Sequence, residues 1–219
     1  MIPGSPSGGW IDLTHVLHAA TPTWEDAEPA VVRSVCEIGP ECPVRVSHIS
    51  MGAHTGTHLD APAHFLSEGA MVEALSLDDL IGRAWVAETG SSRIVDGALL
   101  EGMDIPAKAV RLLFRTSSTA RRLMDQPKFD RSYTGLDESG ARWLASRGIR
   151  LVGFDYLSVQ AFDASDETHR ILLREGVVLV EGLDLSLVET GWYDLVCLPL
   201  LARGLEGAPA RVVARPIRP

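Results

Sequence analysis

Short runs rich in apolar and β-branched residues, set between polar stretches, mark the early part of the chain. Residues 10–17 (WIDLTHVL), 30–38 (AVVRSVCEI), 44–51 (VRVSHISM) and 83–90 (RAWVAETG) therefore read as short strands. From about residue 110 the pattern changes to strand, helix, strand. Residues 109–116 (AVRLLFRT) form an apolar, partly β-branched run expected to be a buried strand. Residues 137–148 (DESGARWLASRG) carry a helical period: Ala141, Leu144 and Ala145 share a face, Thr134 and Asp137 are candidate caps, and Gly148 ends the run. A second helix is expected over 165–176 (SDETHRILLREG), with Ser165 or Asp166 as cap, acidic residues in the first turn and Gly176 beyond the last. Residues 149–155, 177–184, 193–201 and 210–217 supply the remaining strands. The expectation is an α/β fold, with early antiparallel hairpins beside later strand–helix–strand units in one compact domain over residues 1–219.

Composition narrows the function classes. With 46% hydrophobic and 22% charged residues in 219, the chain is an ordinary globular protein. A formal charge of −9 argues against nucleic acid or an acidic membrane as partner, and the basic run Arg211, Arg215 and Arg218 is too short to reverse that. The start, MIPGSPSGGW, has neither the basic nor the apolar region of a secretion signal, and no apolar run reaches the roughly 20 residues needed to span a bilayer. Cys36, Cys42 and Cys197 are odd in number and form no C-x-x-C pair, which argues against a secreted disulfide framework. The expected compartment is the cytoplasm.

The chemistry concentrates in residues 54–64, HTGTHLDAPAH. His54 and His58 are spaced as on a zinc-binding helix, but the intervening Thr-Gly-Thr is a poor helix former and no glutamate follows the first histidine. In an extended chain alternate side chains share a face, so His54, His58 and Asp60 would point together, with Pro62 bending His64 back toward them. Imidazoles with a carboxylate suit a divalent ion such as Zn²⁺ or Mn²⁺. Isolated histidines often do no more than hydrogen-bond backbone and solvent, but three beside an aspartate in eleven residues argue for a site. The cysteines lie elsewhere, which disfavours a purely structural zinc site. His169, in the first turn of the second helix, and Glu181, at the end of the next strand, could both reach one sheet edge. No G-x-S-x-G, P-loop or G-x-G-x-x-G motif is present.

This run resembles the H-x-G-T-H-x-D-x-P-x-H signature of the cyclase family of metal-dependent hydrolases, which includes bacterial kynurenine formamidases and isatin hydrolases. The likeness continues through residues 11–15 (IDLTH), 153–158 (GFDYLS), 169–173 (HRILL), 180–183 (VEGL) and 198–200 (LPL). It implies a swivelling β/β/α-type fold. It also implies one or two divalent ions, zinc first and manganese second, held by His54, His58, Asp60, His169 and Glu181, with Asp60 and Glu181 as bridges. His64 takes the place of the general acid/base. The region of His15, His18 and Trp24 would line the substrate pocket, where Trp24 stacks on an aromatic substrate. Asp155 and Ser158, after a buried strand, are expected to order a turn or orient a ligand histidine.

The implied activity is hydrolysis of a small amide by metal-activated water. The foremost substrate is N-formylkynurenine, giving kynurenine and formate in tryptophan catabolism. Isatin-like cyclic amides and lactones are the alternatives, and a non-catalytic metal-binding module is the contrasting reading. Thr57 and the run His58-Leu59-Asp60 replace the alanine and the His-Ala-Asp expected of kynurenine formamidases, so the motif sits closer to the broad family. A homodimer or larger homo-oligomer is also implied, with a neighbouring subunit contributing to the pocket.

Overall fold

The parallel strands between residues 111 and 181 alternate between two apolar surroundings, and that alternation sets the layers. The computed structural model describes residues 9–25 and 27–217; the Gly/Ser/Pro-rich start at residues 1–8, Asp26 and residues 218–219, with Arg218 of the basic run, lie outside the described residues. The strands of the main sheet and of one separate hairpin are β1 (Ile11–Asp12), β2 (Val31–Cys36), β3 (Val46–Ser50), β4 (His58–Asp60), β5 (Ile81–Glu88), β6 (Arg111–Arg115), β7 (Leu151–Phe154), β8 (Val178–Glu181), β9 (Gly191–Pro199) and β10 (Gly207–Pro216). The two longer helices are α1 (Glu138–Ser146) and α2 (Glu167–Arg174), each bridging consecutive parallel strands of the β6–β7–β8 run.

Seven strands close on themselves in the order β10-β9-β5-β6-β7-β8-β4, because β4 also pairs with β10; β1 extends the sheet beyond β10. Leu59, Val86, Leu113, Leu151, Val180, Leu195 and Val212, one from each strand of the ring, meet in one buried cluster, which is the barrel interior. The intervening residues Leu112, Phe114, Val152, Phe154 and Leu179 face outward and are covered by Ala141 and Leu144 of α1 and by Ile171 and Leu172 of α2. Gly153 stands where a side chain would drive into Leu113 of the neighbouring strand and into Leu183. The β/β/α expectation is met by this mixed sheet closed into a barrel-like ring with helices against one flank. Among the described residues no helix is long and apolar enough to cross a membrane.

The local signals mostly place the elements, with instructive differences. The Asp137 carboxylate caps α1 by accepting from the Gly140 N–H at 2.9 Å, whereas Thr134 donates to the Ser92 carbonyl and caps nothing. At α2 the Ser165 hydroxyl accepts the Glu167 N–H at 3.1 Å, while Asp166 makes no side-chain cap. The strand expected over 10–17 is reduced to two residues, since Leu13 is already in the core and Thr14 crosses to bridge Leu183. Among the described residues β2 and β3 pair only with each other and are exposed on both faces, so their apolar residues do not mark a buried face. Cys36 and Cys42 are disulfide-bonded near the turn of this hairpin, a local clasp that leaves Cys197 buried and free.

Gly140 separates helix propensity from packing. In an exposed helix Gly→Ala gains about 1 kcal/mol. Here a Cβ would run into the Val95 carbonyl and the Leu136 side chain. Gly140→Ala is expected to destabilise the protein by roughly 1–3 kcal/mol through overpacking. Thermal denaturation checks this, and a raised Tm would show that the Val95 segment gives way.

Candidate metal centre

Three residues of β4 fix most of the site. Leu59 points into the barrel, so His58 and Asp60 point out, toward the flank where α2 lies. The antiparallel register with β8 sets Glu181 opposite His58 and Leu179 opposite Asp60, which places Glu181 on the same outward face. α2 carries His169 above them. His54 arrives differently from the extended arrangement expected of it. Residues 53–57 form a turn in which Gly56 is left-handed (φ +68°), and this turn, not strand parity, folds the His54 ring back onto Asp60. The buried Thr57 holds the turn: its hydroxyl donates to the Gly182 carbonyl at 2.5 Å and accepts the His15 N–H at 2.9 Å.

The five side chains form two overlapping groups, His54–His58–Asp60 and Asp60–His169–Glu181, sharing Asp60. His54 Nδ1 lies 2.8 Å from Asp60 Oδ1, and His58 Nε2 lies 3.6 Å from Asp60 Oδ1 and 3.3 Å from Glu181 Oε2. His169 Nε2 is 3.5 Å from Glu181 Oε1 and 3.9 Å from Asp60 Oδ2. Backbone and neighbours hold the outer atoms. His58 Nδ1–H donates to the Gly56 carbonyl at 2.9 Å, and Glu181 Oε1 accepts the Val159 N–H at 2.7 Å. Gln160 donates its amide N–H to the Ala164 carbonyl, which turns its Oε1 toward His169 Nδ1 at 2.8 Å. Both His58 and His169 thus keep Nε2 directed into the cluster.

A divalent cation fits this arrangement. Among the described residues His58 Nε2 and Asp60 Oδ2 are buried with no hydrogen-bond partner, and the ionic partners of the buried Asp60 and Glu181 are histidines, with no Lys or Arg among them. The electrostatics report the same demand. Burial pulls His54 down, but the hydrogen bond and charge of Asp60, with Glu181 and Glu206, overcome it and raise the imidazole to about 9. His58 is raised against its own burial, chiefly by Glu181. Glu181, which burial would push up, is held below the usual carboxylate range by His169 and His58. Without an ion, the carboxylates draw protons onto their neighbours.

His64 ends a short helical turn begun by Pro62, and its ring stacks on His54 at 4.1 Å. Phe65, unanticipated from the sequence, stacks on His169 at 4.4 Å. These rings wall a cavity of about 770 Å³ lined also by Trp24, Leu157, Ser158 and Gln160. Trp24 is partly exposed there and packs on Phe129 (4.7 Å) and Phe162 (6.0 Å), so it is both wall and part of an aromatic cluster.

The structure narrows one expectation and corrects another. Among the described residues Asp155 makes no hydrogen bond to a ligand histidine: it accepts four, two from Thr116 and two from Thr119, and takes the turn-ordering role of the two expected of it. His15 lines a separate cavity beside Asp155, not the one holding Trp24. Ser158 does line the site, accepting from the Gln160 N–H at 3.2 Å. Gln160 and Glu206 carried no sequence signal, because each meets its histidine through a loop contact with no fixed spacing.

The sequence model of the Cyclase family matches residues 11–161. The chain belongs to the cyclase family. It is 38% identical over 220 residues to cyclase-like protein 3 of Oryza sativa subsp. japonica, spanning 94% of this chain and 79% of that protein. It is 32% identical over 209 residues to the kynurenine formamidase of Paracidovorax citrulli (strain AAC00-1), spanning 93% and 95%. A solved structure described as a potential metal-dependent hydrolase with cyclase activity superposes with a TM-score of 0.82 at 29% identity, covering 96% of this chain and 98% of that one.

Among the described residues of this cyclase-family chain the Gln160 side chain hydrogen-bonds His169 and no other donor of the cluster, so its substitution isolates the orientation of His169. Gln160→Leu should weaken metal binding by about 10- to 100-fold. Competition with a chromogenic chelator checks it; unchanged affinity would mean that stacking on Phe65 alone fixes the ring.

Proposed function

We propose that this protein is a metal-dependent amide hydrolase whose substrate is an arylformamide such as N-formylkynurenine. The observation that carries the reading is the pair of donor triads sharing Asp60, at the base of an aromatic-walled cavity with His64 beside it. His54, His58 and Asp60 would hold one divalent ion, and Asp60, His169 and Glu181 a second. Nitrogen and oxygen donors without thiolate accept Zn²⁺ and Mn²⁺ alike, with zinc the first expectation. When bound, such an ion lowers the pKa of water from 15.7 to about 7 and polarises a carbonyl.

The chain's own side chains do the rest. Trp24, Phe65 and Leu157 offer apolar surface to an aryl group and exclude bulk water around the scissile amide. His64, stacked in place by His54, takes a proton from the attacking water and returns it to the departing nitrogen. Arylamine and formate are the products. The 32% identity to a kynurenine formamidase over 95% of its length supports this substrate.

The first test strips the protein of metal and reloads it separately with Zn²⁺ or Mn²⁺ before adding N-formylkynurenine. Metal-dependent release of kynurenine and formate is expected. Stoichiometric metal without turnover would remove the arylformamide assignment and direct the search to cyclic amides and lactones.

His64→Ala addresses mechanism against mere metal storage. The variant should keep its metal content and lose about 10²- to 10⁴-fold in kcat, the usual range for a positioned proton-transfer group. Elemental analysis and steady-state rates together decide it; equal rates in variant and parent would exclude His64 from catalysis.

A further inference from the structure

Each of the three histidines in the cluster has one nitrogen turned inward and one tied outward, and the outer partners differ. His58 is tied to a backbone carbonyl and His169 to a neutral amide. His54 is tied to a carboxylate: its Nε2 lies 3.2 Å from Glu206 Oε1, while its Nδ1 faces Asp60 Oδ1 at 2.8 Å. The backbone around Glu206 is built to this contact. The Glu206 carbonyl accepts the Ala61 N–H at 2.8 Å, just past β4, and Gly207 opposes Asp60 in the β4–β10 register. A side chain at Gly207 would run into the His54 ring, so glycine there lets the imidazole lie against the strand with its far edge at Glu206.

We propose that Glu206 is a positioning residue: by accepting the Nε2–H of His54 it fixes that tautomer and presents the Nδ1 lone pair to the ion shared with His58 and Asp60. The inference rests on the metal-centre reading above. A carboxylate behind a ligand imidazole both orients the ring and strengthens it as a donor. Glu206 sits at the cavity rim, half exposed, and among the described residues its hydrogen bond into the cluster is to His54, while its charge is felt by His64 as well.

The test is Zn²⁺ binding by the full-length metal-free protein, read by chelator competition, with Co²⁺ absorption as a second signature. Glu206→Ala should weaken one equivalent of Zn²⁺ by about 10- to 100-fold and perturb the Co²⁺ bands. Glu206→Gln keeps an oxygen that can accept the Nε2–H, and should recover most of the affinity and the parent spectrum. Unchanged affinity in Glu206→Ala would overturn the proposal. So would equal losses in the Ala and Gln variants, since that pattern marks Glu206 as a direct ligand. Failure of the unsubstituted protein to bind Zn²⁺ at all would overturn the metal-centre reading and this inference with it, and is distinct from both. Thermal melts of the metal-free forms should agree, as expected for a half-exposed side chain.

Discussion

Asp60 and Glu181 are buried on adjoining strands with imidazoles as their ionic partners. Removing a carboxylate from water costs several kcal/mol unless charge and hydrogen bonds compensate it. Two such groups sharing three histidines leave donor atoms unused, as the orphaned His58 Nε2 and Asp60 Oδ2 show. The surrounding construction can be read as an answer to that constraint: the Gly56 turn, the Gln160 loop, the stacked His64 and Phe65 rings and the first turn of α2 all bring imidazole toward the carboxylates and keep it there.

The same constraint ties the site to the fold. β4 is three residues long, yet it pairs with β8 on one side and β10 on the other and thereby closes the ring. Leu59 fills the barrel while its two neighbours offer ligands outward, so one short strand supplies both closure and chemistry. An ion bound there would link β4, β8 and α2, and its binding free energy would add to the stability of the closed ring.

Much of this was legible in residue order. Apolar runs located most of the ring strands, and the apolar face and caps located α1 and α2, because those patterns report burial directly. The parity of His58 and Asp60 survived into the structure. That of His54 did not, since a left-handed glycine lies between them and a turn replaces the strand. The β2–β3 hairpin shows the opposite failure: its apolar runs do form paired strands, but neither face is buried within the chain. Gln160 and Glu206 were invisible because they approach their histidines across loops, where the contact depends on tertiary placement and not on any local period.

Asp155 shows what separates a buried carboxylate that orders the fold from one that waits for an ion. Both it and Asp60 are almost wholly enclosed. Asp155 receives two backbone N–H groups and two threonine hydroxyls, all neutral donors from one turn, and burial still raises its pKa. Its oxygens are committed and its surroundings ask for no further charge. Asp60 has no such cradle: imidazoles approach it from three sides, and one oxygen keeps no hydrogen bond. A protein that satisfies one buried aspartate with threonines, and does not do so for another, has kept the second carboxylate's coordination open.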